Sequence, residues 1–118
     1  MKARNLLYSF KYAVLGIIYT LKTQRNMRIH FTAAILVLYL GHFLNFSRIE
    51  LLILFFAISL VLVTEMINTA IEKTVDMFTK DYNPLAEIAK NVAAGSVLIT
   101  AINAIIVAYL LFFKRFFS

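Results

Sequence analysis

Four polar side chains stand at helical spacing just beyond a long apolar run. The run is LLILFFAISLVLV, Leu51 to Val63, and TEMINTAIEKTVD follows it. Glu65, Asn68, Glu72 and Asp76 fall at i, i+3, i+7 and i+11. At about 100° per residue they occupy roughly 80° of arc on one helix face. An ionisable group inside a membrane span is costly and marks a functional site by default. Glu65 also has plainer readings: it is protonated, it pairs with a cation on another helix, or it snorkels outward. As a functional group it is a candidate general base. Glu72 lies nearer the interface, and with Asp76 it offers the oxygen ligands that Mg²⁺ prefers. Asp76 reads equally well as a solvated helix end. Asn68 can orient a substrate hydroxyl or bridge two helices. Lys90 and Asn91 precede the last apolar segment. A lysine there can hold a phosphate as a point charge, or simply anchor the segment at the interface.

Other chemistries lack their residues. With glycine only at positions 16, 41 and 95, neither a P-loop nor a kinase-type glycine loop can form. A nucleotide would have to be held by side chains and metal. The chain has no cysteine, so disulfides and thiolate metal sites do not arise. His30 and His42 lack metal-ligand spacing and read as interface or packing residues. No Ser-His-Asp arrangement is visible.

The elements that must position the column are apolar helices. The 118 residues are 62% hydrophobic and 15% charged, with mean hydropathy +0.83, outside the range of ordinary soluble domains. A single membrane domain, residues 1–118, is expected, with no cleavable signal peptide. Leu6, Leu7, Phe10, Val14, Ile17, Ile18 and Leu21 keep a 3.6-residue period, so residues 1–28 read as an amphipathic interface helix. Such a helix can equally pack on the chain's own spans or on a neighbouring subunit. Residues 29–46, 49–72 and 92–113 are the expected transmembrane helices, each near the roughly 20 residues needed to cross. Residues 73–91 form the loop between the last two. Asn45 to Arg48 make a tight turn, and Asn83-Pro84 favours a turn with a helix starting at Pro84.

Charge orients the spans. Lys2, Arg4, Lys11, Lys22, Arg25 and Arg28 fill the N-terminal segment without an acid, and Lys73, Lys80 and Lys90 join the later loop. The other side holds Arg48, Lys114 and Arg115. The positive-inside rule puts the N-terminus and residues 73–91 in the cytoplasm, so the lower end of the column faces the nucleotide-containing compartment. The net charge of +6 flanks apolar segments, which points to anionic headgroups or phosphate-bearing ligands rather than nucleic acid. Ala93, Ala94, Gly95, Ser96, Ala101 and Ala104 in the third span permit close helix approach, within one subunit or between copies.

The segment Glu65-x-x-Asn68-Thr69-Ala70-Ile71-Glu72-x-x-x-Asp76, followed by Ala89-Lys90-Asn91-x-Ala93-Ala94-Gly95, resembles the signature of the small prokaryotic diacylglycerol kinase family. The resemblance extends over nearly the whole chain, including Gly16, Arg25-Asn26-x-Arg28-Ile29-His30 and Tyr82. The short loops and Asn83-Pro84-Leu85-Ala86 are similar to the Gram-positive branch, whose members often phosphorylate undecaprenol.

The resemblance implies an all-α integral membrane enzyme, a homotrimeric bundle in the cytoplasmic membrane with active sites shared between subunits at the cytoplasmic face. It would move the γ-phosphoryl group of MgATP to the hydroxyl of a membrane lipid alcohol, undecaprenol or diacylglycerol. By position, Glu65 matches the catalytic base, Asn68 its hydroxyl-orienting partner and Glu72 a metal ligand. Tyr12 and Lys90 match nucleotide-contacting positions, and Asp81-Tyr82-Asn83 a loop near the adenine. Gln24 stands where many members carry a metal-binding glutamate, and Asn91 where an aspartate follows the lysine. Both replacements keep shape and remove charge, so the metal would lean on Glu72 and the ATP oxygens. The alternative is an impaired member acting as a lipid-binding scaffold or a small ion or proton pathway.

Overall fold

The computed structural model describes residues 5–117. The N-terminal four residues, with the expected helix start and Lys2 and Arg4, lie outside the described residues, as does Ser118. Four helices follow in order: α1 Leu6–Thr23, α2 Arg25–Phe43, α3 Arg48–Phe78 and α4 Pro84–Phe117. No strand occurs among the described residues.

Asn5 caps α1, its side chain accepting from the Tyr8 N–H at 3.0 Å. The single interface helix expected over residues 1–28 is divided at Gln24, whose backbone is extended (φ −109°, ψ 112°). The Arg28 guanidinium reaches back across this joint and donates to the carbonyls of Leu21 (3.1 Å) and Lys22 (2.9 Å). It thereby satisfies orphan acceptors at the end of α1 and fixes the angle at which α2 departs.

The α2–α3 hairpin turns by local chemistry. Asn45 takes the left-handed conformation (φ 62°), the Phe46 N–H bonds to the Gly41 carbonyl and the Asn45 N–H to that of His42. This is a Schellman closure with asparagine in the usual glycine position. Phe46 folds back on Gly41, where an added Cβ would lie 3.0 Å from its ring and would push the ring outward by a few tenths of an ångström. Ser47 and Glu50 then form a reciprocal capping box at the start of α3.

On α3, Leu54, Ala57, Val61, Glu65 and Asn68 are buried. Their spacing of 3, 4, 4 and 3 places them on one face, so the polar column continues the apolar packing stripe. α3 packs most extensively on α4. The Thr64 and Thr100 hydroxyls meet at 2.9 Å across that interface, the kind of polar bridge that joins helices in lipid.

α3 and α4 are long and apolar enough to cross a membrane. α2, the expected first span, carries Arg25, Arg28, His30 and His42 and does not meet that criterion by itself. The stretch 73–91 is mostly helical: α3 continues to Phe78 and α4 starts at Pro84, which leaves only Thr79 to Asn83 as connection. The Asn83 side chain caps α4, accepting from the N–H groups of Leu85 (2.9 Å) and Ala86 (3.2 Å). Large apolar side chains such as Leu98, Ile99 and Ile105 are exposed along α4, a surface suited to lipid or to other chains.

Candidate functional site

α3 has 31 residues and is about 46 Å long, against roughly 30 Å of hydrocarbon. Counted from Arg48, Glu65 lies about 26 Å along the axis and Asp76 about 42 Å. One continuous helix therefore carries the whole column and is longer than the hydrocarbon layer.

Glu65 is 2% exposed and Asn68 8%. Glu65 Oε2 and Asn68 Oδ1 are both buried without a hydrogen-bond partner. Buried acceptors are ordinarily paired, so two orphans on adjacent turns mark a place where a donor is expected. The Asn68 amide donates to Glu72 Oε1 at 3.1 Å, which links the two carboxylate levels.

Among the described residues no group of three or more His, Asp or Glu side chains could hold a metal. The donors that the sequence offers are Glu72, half-buried on α3, and the Gln24 amide at the α1–α2 joint. Mg²⁺ needs few protein ligands when phosphate oxygens supply the rest. This donor set therefore fits a nucleotide-borne Mg²⁺ and does not fit a metal centre built from protein alone. Asp76, expected as an outer metal partner, is engaged elsewhere: Lys90 Nζ lies 2.7 Å from its Oδ1. That hydrogen bond, with the charges of Lys90, Lys73 and Lys80, holds the Asp76 carboxyl below the usual carboxylate range.

Around this pair the α3–α4 connection encloses an open cleft of about 390 Å³. Asp81, Tyr82 and Asn83 line it together with Lys90 and Asn91. Thr79, Lys80 and Glu87 line it too; of these the sequence marked Lys80 only as a loop charge, although Glu87 also flanks the Asn-Pro turn. The Thr79 hydroxyl donates to the Asp81 carbonyl at 3.1 Å and shapes the rim. Tyr12, half-buried on α1, and Gln24 do not line this cleft. Lys73 ties α1 to the lower column, its ammonium 5.8 Å from the centroid of the Tyr19 ring.

The prokaryotic diacylglycerol kinase family model matches residues 11–112. A diacylglycerol kinase of Synechocystis sp. is 43% identical over 106 residues, 89% of this chain and 61% of that protein. An undecaprenol kinase of Bacillus subtilis is 41% identical over 107 residues, 91% of this chain and 87% of its own length. A diacylglycerol kinase of Escherichia coli is 31% identical over 84 residues, 71% and 69% of the two chains. With its column of carboxylates inside the matched region, the chain belongs to the prokaryotic diacylglycerol kinase family.

Proposed function

We propose that this protein is an ATP-dependent lipid kinase that phosphorylates the primary hydroxyl of a membrane lipid alcohol, diacylglycerol or undecaprenol. The observation that carries the reading is the pair of buried, unpartnered oxygens, Glu65 Oε2 and Asn68 Oδ1, respectively two turns and one turn above Glu72 on a helix long enough to continue into water. An acceptor hydroxyl at that depth supplies the missing donor. Glu65 takes its proton, the hydroxyl oxygen attacks the γ-phosphorus, and the bond to the β–γ bridging oxygen breaks and leaves ADP. Asn68, fixed by its bond to Glu72, keeps the acceptor level with the phosphate. Glu72 is the residue that would hold Mg²⁺, which neutralises phosphate charge when bound with the nucleotide. Lys90 faces the phosphates, and the cleft around Tyr82 and Asn91 takes the nucleoside.

Phosphoryl transfer depends chiefly on positioning and charge neutralisation, so no glycine loop is required. In this reading α2 is the first of three spans, its Arg25 and Arg28 at the cytoplasmic boundary. The exposed apolar faces are covered by lipid and by two further copies in a homotrimer, which brings Tyr12 and Gln24 of α1 toward a shared site. The protein resides in the cytoplasmic membrane with the N-terminus and active site on the cytoplasmic face. Purified protein with γ-labelled ATP and each acceptor side by side in mixed micelles tests this. Label in a lipid phosphate supports it and names the acceptor. Absence of label from a folded trimer refutes it.

A further inference from the structure

A cavity of about 200 Å³ lies between α2, α3 and α4. Ala34 and Val37 of α2, Leu54 and Val61 of α3, and Ala101 and Ala104 of α4 form most of its wall. His30 is the only titratable side chain lining it among the described residues. The α3 and α4 side chains in the wall are all apolar, and α1 contributes none of its lining.

Three observations connect His30 to Glu65. Counted outward from the α2–α3 turn, His30 stands level with residues 61–62, about one helical turn from Glu65. Val61, which shares the cavity wall with His30, precedes Glu65 by four residues on the same face of α3. His30 and Glu72 are the titratable groups that come near the Glu65 carboxyl, one toward each end of α3. His30 has no side-chain hydrogen bond of its own among the described residues, while Glu65 Oε2 is a buried acceptor without a donor. His30 thus carries an idle N–H on the wall of an apolar cavity, about one helical turn from the level of an idle carboxylate oxygen. In either protonation state imidazole offers an N–H, and a donor one turn deeper than the carboxylate would hold it turned toward the acceptor hydroxyl rather than toward the cytoplasm.

We infer that His30 is a positioning residue for Glu65, holding the carboxylate from the membrane side by a hydrogen bond during turnover. The inference rests on the lipid kinase reading above. It assigns to an isolated histidine of α2 a part in the reaction performed from α3.

The test compares His30→Leu, which keeps the bulk and removes the donor, with His30→Gln, which keeps a donor, in the full-length protein in mixed micelles. Oligomer size and thermal midpoint serve as folding checks. His30→Leu should lose about tenfold or more in kcat with the KM for ATP unchanged and the midpoint equal to or above wild type. His30→Gln should recover most of that loss. A His30→Leu protein with wild-type kcat overturns the inference and leaves the kinase reading intact, as does equal loss in both variants. A wild-type protein that labels no lipid overturns the kinase reading and this inference with it. If His30→Leu does not assemble, His30→Gln against His30→Ala, with imidazole added to the latter, decides the matter. Restoration of turnover by imidazole supports the role, and no restoration in a folded His30→Ala trimer overturns it.

Discussion

Lys90 Nζ meets Asp76 Oδ1 at 2.7 Å across the break between α3 and α4. The two residues are fourteen apart in the chain, and their contact closes the α3–α4 connection over the lower end of the column. A lysine on a flexible stem is a poor phosphate ligand until something restricts it, and Asp76 supplies that restriction. Both side chains remain more than 40% exposed, so the contact orients Lys90 more than it stabilises the fold.

Asp76→Asn should therefore raise the KM for ATP and leave kcat nearly unchanged. Exposed pairs contribute about 0.2–1 kcal/mol, which corresponds to a rise of up to about fivefold. Steady-state kinetics at saturating lipid measure it. A fall in kcat with constant KM would move Asp76 into the reaction itself.

The same pair gives a pH expectation. The folded carboxyl is depressed below its ordinary value of 3.8, chiefly by the Lys90 hydrogen bond. Its contribution is therefore present above 3.8 and is lost as pH falls through the lower folded value. ATP affinity should show no titration of the Asp76 carboxyl between about pH 6 and 8. Wild type and Asp76→Asn should give parallel profiles of KM for ATP over that range, and an inflection confined to wild type would show the Asp76 carboxyl titrating there.

Gln24 ends α1 in extended backbone, where a carboxylate would add a charged oxygen ligand without disturbing a helix. Gln24→Glu should lower the Mg²⁺ concentration for half-maximal activity roughly tenfold, since ligand charge sets affinity at such sites. Titration of Mg²⁺ at fixed ATP checks this. An unchanged midpoint would remove position 24 from the metal's surroundings.

At the far end of the molecule, Arg115 of α4 donates to the Asn45 carbonyl at 3.0 Å and pairs with Glu50, fastening α4 to the α2–α3 turn. Its guanidinium also lies 5.3 Å from the Phe46 ring centroid. Arg115→Ala should destabilise the protein by about 1.5–3 kcal/mol, the usual range for hydrogen bonds to charged groups. Glu50 and Glu65 are about 22 Å apart along α3, so kcat should not change. A thermal melt paired with a rate assay separates the two effects.

What could be read from the chain was what one helix decides alone. The spacing of Glu65, Asn68, Glu72 and Asp76 needs only helical geometry, and the Asn83-Pro84 start of α4 needs only local turn chemistry. The Arg115 contact with Glu50, 65 residues away, depends on how α4 returns along α3. His30 read as an isolated packing residue because its relation to Glu65 exists only once α2 folds back on α3. The break at Gln24 depends on how α2 packs, with Met27 buried, and no glycine or proline among residues 23–27 announces it.

The most direct measurement is transfer of label from γ-labelled ATP to lipid by wild type and Glu65→Gln under identical conditions. Wild type should phosphorylate the lipid alcohol. Glu65→Gln, the same size and without the basic oxygen, should lose about 10²–10⁴ of turnover with oligomer size unchanged. A Glu65→Gln protein that labels lipid at nearly the wild-type rate would contradict the assignment of the base, and with it the reading of the column.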